Sequence, residues 1–169
     1  MDIIVSPAGA LSYKCKSVRC ALGHGGARAD KREGDGATPV GCFALRRVLY
    51  RADRIAKPKT DLPISAIDRL DGWCDAPDDT NYNQAITLPY PASAEPLWRN
   101  DGLYDLIVVL GHNDDPPLPG AGSAIFWHVA RPDFGSTEGC IAISLADFRD
   151  AIQSCGPGDH LCVQAEPAC

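Results

Sequence analysis

The sequence predicts a mainly β fold, a sandwich or barrel, with one helix close to the C-terminus. Three observations carry this. Short runs rich in β-branched and aromatic residues alternate with clusters of Gly, Pro and Asp along the chain. Residues 52–102 are punctuated by Pro58, Pro63, Pro77, Pro89, Pro91 and Pro96, which leaves little room for long helices. Only the stretch after Ser144, "LADFRDAIQSC", has a helical rhythm.

Taken in order, "DIIVS" reads as a strand ending at the turn signal "PAGA", and "KSVRCALG" as the second strand of an opening hairpin. The glycine-rich, charged residues 23–41 suit either a linker or an active-site loop. A linker so near the N-terminus would join little, which favours an ordered loop. "CFALRRVLYRA" reads as a strand, and "LYDLIVVLGHN" as the strongest one, a continuous apolar run suited to burial on both faces. After the turn "DDPPLPGAG", "SAIFWHVA" is a further strand. Alternation puts Ile125, Trp127 and Val129 on one face and Phe126 and His128 on the other. Ser144 is placed to cap the helix, with Asp147 three residues on, and Gly156 and Pro157 stop it. "DHLCVQ" is the last strand, and neither repeats nor a second domain are visible, so residues 1–169 are expected to form one unit.

A chain of 169 residues with 45% hydrophobic and 22% charged residues can bury a core without metal or disulfide staples. No apolar run approaches the roughly 18 residues of a membrane span, so an integral membrane protein is not expected. The formal net charge of −6 argues against a phosphate-tracking surface, and so against nucleic acid as a partner. "MDIIVSPAGALSYK" shows no cleavable secretory signal, which leaves the compartment open. The eight cysteines (15, 20, 42, 74, 140, 155, 162 and 169) show no C-x-x-C spacing, and His24, His112 and His160 lie at no zinc-finger distance from cysteine pairs. Buried free thiols are therefore expected for most of them. Pairing among Cys155, Cys162 and Cys169 stays open for an oxidising compartment. Asp75, Asp78 and Asp79 do not meet the spacing of a calcium loop.

One constellation could carry chemistry. "STEGC" ends at Cys140, twelve residues after His128. Thiol acyl transfer needs a sulfur nucleophile, an imidazole to take and return its proton, and N–H groups aimed at the developing oxyanion. Gly139 lets the backbone turn so that the N–H groups of Gly139 and Cys140 could point into one space. Pattern alone leaves open whether this is a working pair or a core cysteine near a strand-end histidine.

Two segments shift that balance. "GSAIFWHVA" (122–130) followed by "GSTEGCIAI" (135–143) resembles the signature of the L,D-transpeptidases with a YkuD-type catalytic domain, in which a histidine precedes a Ser/Thr-x-Gly-Cys segment. "ADKREGDGATPVGCFAL" (29–45) is similar to an early loop of the same family. The resemblance implies a short stand-alone member with a β-sandwich fold and a helix after the cysteine. It implies Cys140 as nucleophile, His128 as base and acid, and the Val129 carbonyl as the group orienting the imidazole. It implies peptidoglycan stem peptides as donor and acceptor, joined through a thioacyl enzyme into a 3-3 or 1-3 cross-link, with the compact chain leaning to 1-3. Hydrolysis of the same bonds and a non-catalytic wall-binding role are the alternatives. Carbapenem-type inhibitors are implied as acylating ligands, no metal or organic cofactor is required, and the family role implies the cell envelope. Thr137 fills the family's Ser/Thr position. Glu138 stands where many members have histidine, Ala142 where a polar residue or Arg is frequent, and the twelve-residue interval is short for the family.

Further candidates for substrate contact have competing readings. Lys31, Arg32 and Asp35 either meet stem-peptide charges or form a solvated face. His112 and Asn113 either reach the cleft mouth or cap a strand end. Arg131 either holds an anionic donor end or pairs with Asp133. The side chain of Glu138 is expected to face solvent, and Trp127 to lie in the core.

Overall fold

The computed structural model describes residues 2–165. The strands are β1 (Asp2–Ser6), β2 (Ala10–Tyr13), β3 (Lys16–Arg19), β4 (Ala27–Arg28), β5 (Thr38–Pro39), β6 (Gly41–Tyr50), β7 (Ile64–Ala66), β8 (Asp71–Cys74), β9 (Ala85–Thr87), β10 (Ala94–Pro96), β11 (Leu106–Leu110), β12 (Phe126–Val129), β13 (Ile141–Ile143) and β14 (His160–Val163). A single α1 (Leu145–Ile152) sits between β13 and β14. The main sheet runs β13-β12-β11-β6-β14-β1-β2-β3, with β7 added beside β6; β10-β8-β9 form a small second sheet, and β4 pairs β5.

The main sheet does not end cleanly at β3. The chain leaving β3 crosses to the opposite edge, where Ala21 and Ala142 exchange backbone hydrogen bonds of 2.8 and 3.0 Å. Leu22 O then accepts from Thr137 N, and His24 N donates to Thr137 O. The sheet thereby curls over its own inner face into a sandwich-like β fold, and β13 is not left as a bare edge. Alternation explains why β11 is buried throughout: Leu106, Val108 and Leu110 face the core under the curl, while Ile107 and Val109 face a second cluster beneath the small sheet. The same alternation splits the next strand. Ile125, Trp127 and Val129 belong to the first cluster, with Trp127 stacked on Phe148 of α1 at 4.4 Å; Phe126 belongs to the second, as does Cys140.

Ser144 caps α1, its Oγ accepting from Asp147 N at 3.1 Å. The opening differs from the expected hairpin: β1 pairs not with "KSVRCALG" but with Ala10–Tyr13, and Lys16–Arg19 is a third strand of a meander. Ala10–Tyr13 is only four residues of mixed polarity, too short to show a period. Residues 52–102 are irregular as expected, yet hold the four short strands β7 to β10. Most of the described cysteines are the buried free thiols expected, and one pair departs from expectation. Cys42 and Cys162, which oppose each other across β6 and β14, form a disulfide, while Cys20, Cys74, Cys140 and Cys155 are buried free thiols and Cys15 is an exposed one. Cys169 lies outside the described residues. Among the described residues no helix is long and apolar enough to cross a membrane.

Candidate active site

Strands β12 and β13 run parallel, with Trp127 opposite Ile141 and His128 opposite Ala142. Cys140 thus enters β13 beside Phe126 and Ile125, on the face that carries Phe126 and His128. Its sulfur is fixed by backbone: Sγ accepts from Phe126 N at 3.4 Å and donates to Ala124 O at 3.2 Å. Thr137 folds the preceding turn, its hydroxyl donating to Cys140 O at 2.6 Å and accepting from Gly139 N at 3.1 Å. Of the two N–H groups expected to face an oxyanion, that of Gly139 is therefore committed to Thr137. The Cys140 N–H has no partner among the described residues. Gly139 has φ +131°, and a Cβ there would lie 2.7 Å from Ala37 O, so only glycine fits the approach of this turn to the loop before β5.

His128 is held from behind, Nδ1 lying 2.9 Å from Val129 O. With Nδ1 donating, Nε2 carries the lone pair. The ring packs edge-on against Tyr104, centroids 5.3 Å apart. His128 and Cys140 both line one cleft of about 400 Å³, together with Lys31, Glu95, Arg99, Tyr104 and Arg131. Burial pushes the Cys140 thiol up to about 12, reinforced by the Glu95 carboxylate and countered by the Phe126 N–H and the cations Lys31 and Arg99. Burial also pushes His128 down to about 4, against the opposing pull of the Val129 carbonyl. Both shifts favour the uncharged forms, a thiol donating to Ala124 O and a neutral imidazole.

The other expected residues divide. Arg131 lines the cleft and makes no ion pair with Asp133, whose Oδ1 accepts instead from Gly135 N. Glu138 and Thr137 also line it; the Glu138 side chain is 90% exposed and reaches His24 at 3.0 Å, so it points away from the sulfur. Asp35 and Lys31 are engaged with each other rather than with solvent. Burial raises Asp35, but the Lys31 bond and the N–H groups of Ala37 and Arg32 outweigh it and hold the carboxyl near 2. Asp35 thus folds the glycine-rich loop, and Arg32 is exposed outside the cleft. His112 and Asn113 are likewise outside it. His112 Nε2 is 3.0 Å from Ala121 O, and Asn113 bonds Leu118 and Gly122, so both clamp the 114–122 turn.

Glu95, Arg99, Tyr104 and Ser123 line the cleft without having been singled out in the sequence. All but Ser123 come from the proline-rich segment or the loop after it, where no spacing marks them. Tyr104 at the foot of the strongest strand was the one visible signal.

A sulfur and an imidazole opening on one cleft of a curled β fold are the two groups that thiol-dependent acyl transfer needs. The chain goes further than those two groups: residues 8–164 match the family model of the YkuD L,D-transpeptidase catalytic domain, and the chain belongs to that family. Its members are cysteine-dependent L,D-transpeptidases that act on peptidoglycan peptides. No curated protein matches the chain.

Proposed function

We propose that the chain, as a single catalytic domain, is a peptidoglycan L,D-transpeptidase working through Cys140 and His128. The observation that supports this best is the pairing itself: a backbone-tethered thiol and an imidazole with Nδ1 engaged open on one cleft. His128 Nε2 takes the thiol proton as Sγ attacks the carbonyl of an L,D peptide bond in the donor stem. The oxyanion is met by the Cys140 N–H, and the proton passes to the leaving amine. The thioacyl enzyme is then resolved by the side-chain amine of diaminopimelate in a second stem, giving the cross-link. Arg131, which lines the cleft without an ion pair among the described residues, supplies a bidentate partner for a stem carboxylate. For the bond cut, the reading takes L-Ala as the acylating residue and a 1-3 link, on the compact chain and the twelve-residue interval between base and nucleophile. The working compartment is the cell envelope, and the Cys42–Cys162 disulfide is in keeping with an oxidising one.

The test is incubation of the protein and its Cys140→Ala variant with muropeptides bearing tri-, tetra- and pentapeptide stems, with products read by mass. New dimers that vanish in the variant support transpeptidation, and their fragmentation identifies the donor residue. Shortened monomers alone would replace the reading by hydrolysis, and no Cys140-dependent product, with no adduct from a carbapenem, would sink it.

A further inference from the structure

Transfer to an ammonium acceptor leaves one proton that thiol and imidazole cannot both hold. Side-chain amines are protonated near neutral pH, with pKa values around 10. Thioester plus ammonium gives amide, thiol and one free proton: the C–S bond breaks, a C–N bond forms, and His128 returns one proton to the sulfur. The other must leave before the nitrogen has a lone pair with which to attack. His128 has Nδ1 committed to Val129 and only Nε2 open, so without a second base in the cleft the reaction draws only on the small neutral fraction of the amine.

The cleft contains one. In the small sheet Glu95 pairs with Trp73, and Asp75 N donates to Ser93 O, so Asp75 and Glu95 are diagonal neighbours on one face, and both line the cleft. Glu95 Oε1 accepts from the Tyr104 hydroxyl, and the Tyr104 ring abuts His128, so the carboxylate and the imidazole flank one tyrosine. Glu95 Oε2 has no hydrogen bond from a described residue, and 27% of the side chain remains exposed. One further polar atom in the cleft wall, Asp75 Oδ1, is buried without a partner among the described residues, and the Oγ of Ser123, a residue 8% exposed, meets only the Tyr82 hydroxyl as a donor and keeps its acceptor lone pairs open. Ser123 lies beside the Tyr82 hydroxyl, which is already engaged by Glu33 and the Gly122 N–H. Unpaired acceptors of this kind are costly unless a donor arrives.

The geometry points to a docking site for the acceptor's ammonium, formed by Asp75, Glu95 and Ser123, at which Glu95 takes the proton that frees the amine for attack. This deepens the transpeptidase reading and rests on it. Burial, with the charges of Asp75 and Asp101, raises the Glu95 carboxyl, against the pull of Tyr104 and of Arg99 at 3.7 Å. Burial lowers an ammonium in turn, so base and acid approach each other in strength within the cleft. Arg99 divides its guanidinium between two carboxylates, Nε and Nη2 on Asp101 and Nη1 3.7 Å from Glu95 Oε1, which leaves Oε2 of Glu95 open to the acceptor.

The experiment separates the two half-reactions in the wild-type protein, Glu95→Gln and Asp75→Asn. Acylation of Cys140 by a donor muropeptide is read by mass. Transfer is then read from pH 6 to 10 to two probes: an acceptor muropeptide carrying diaminopimelate, and hydroxylamine, which is unprotonated at neutral pH. Glu95→Gln, which also removes a charge that raises the Cys140 thiol, should acylate at least as fast as the wild-type protein and lose about 100-fold in transfer to the muropeptide at pH 7, the scale of one acid–base group. The deficit should shrink as pH rises, and transfer to hydroxylamine should be unchanged. Asp75→Asn should raise the acceptor KM more than it lowers kcat. Equal transfer by Glu95→Gln, or a deficit that is the same for both probes and flat with pH, would overturn the inference while leaving the transpeptidase reading intact. Should Glu95→Gln fail to fold, an unchanged acceptor KM in Asp75→Asn overturns it. Failure of the wild-type protein to acylate with any stem would remove the function itself, and this inference with it.

Discussion

At Cys140 the protein withholds charge rather than supplying it. The thiol sits near 12 and His128 near 4, both moved chiefly by burial, so the neutral pair is the resting state across the physiological range. In a Cys15→Ser/Cys169→Ser background, which removes the exposed thiol among the described residues and the cysteine outside them, alkylation of Cys140 by iodoacetamide should stay slow up to pH 9 and rise only above it. A plateau below pH 7 would refute the assignment of a neutral thiol. The histidine also sets a stability slope. Its folded pKa lies below the ordinary value of 6.5, so between about 6.5 and 4 the unfolded chain binds the proton first and stability falls as pH falls. The full shift corresponds to about 3 kcal/mol. Urea titrations at pH 7 and pH 4.5 should show this loss in the wild-type protein and much less of it in His128→Gln. An equal loss in both would assign the slope elsewhere. Cys140 and His128 were legible because their motif is local. Glu95 was not, because only the pairing of β10 with β8 brings it to the cleft. Asp35, His112 and Asn113 are polar residues at loop and strand ends, and sequence does not distinguish those that reach a substrate from those that fold a loop.

The elements meet at two crowded points, and each gives a test. Gly139 joins the "STEGC" turn to the loop before β5; its positive φ and the 2.7 Å approach to Ala37 O leave no room for a methyl group. Gly139→Ala should cost about 1–3 kcal/mol in a denaturant titration, the range for a strained backbone position, and displace the sulfur enough to abolish acylation. Unchanged acylation would show that the turn yields without moving Cys140. The second point is Asn83, which bonds Trp73 Nε1 and Ala124 N through Oδ1 and the carbonyls of His112 and Asn113 through Nδ2. One amide therefore locks the small sheet onto the ends of β11 and β12, holding the wall that carries Glu95 against the wall that carries His128. Asn83→Ala leaves buried donors unpaired and should cost about 2–4 kcal/mol in the same titration. A loss under 1 kcal/mol would mean that the small sheet is held by Trp73 and Leu97 packing alone. Strands with a clear alternation or a long apolar run were readable from sequence, β12 by the first and β11 by the second. The short β2 and β7 to β10 were not, since three or four residues stabilised by tertiary pairing carry no period of their own.

Across the whole molecule, one covalent link ties distant parts of the chain. Cys42 and Cys162 are 120 residues apart in sequence and directly opposite across β6 and β14, near the centre of the main sheet. Neither local spacing nor composition marks that pair, because only the return of the last strand beside β6 brings the two sulfurs together. A bridge closing so long a loop restricts the unfolded chain, and its loss should cost about 2–5 kcal/mol. The strand order leaves β11 between β12 and β6, the strand that carries Cys42, and neither bridged cysteine lines the cleft, so the cleft does not depend on the bridge directly. A Cys42→Ala/Cys162→Ala double variant should therefore unfold at lower denaturant than the oxidised protein, while its Cys140 acylation per folded molecule stays within about twofold. Cys42 is exposed, so reduction of the native wild-type protein should reproduce the shift and leave the double variant unmoved. If reduction abolished acylation while the fold persisted, the bridge would be acting on the site rather than on the unfolded chain. If neither treatment changed stability, the closure of the sheet through Ala21 and Ala142 would be carrying the ends of the chain without it.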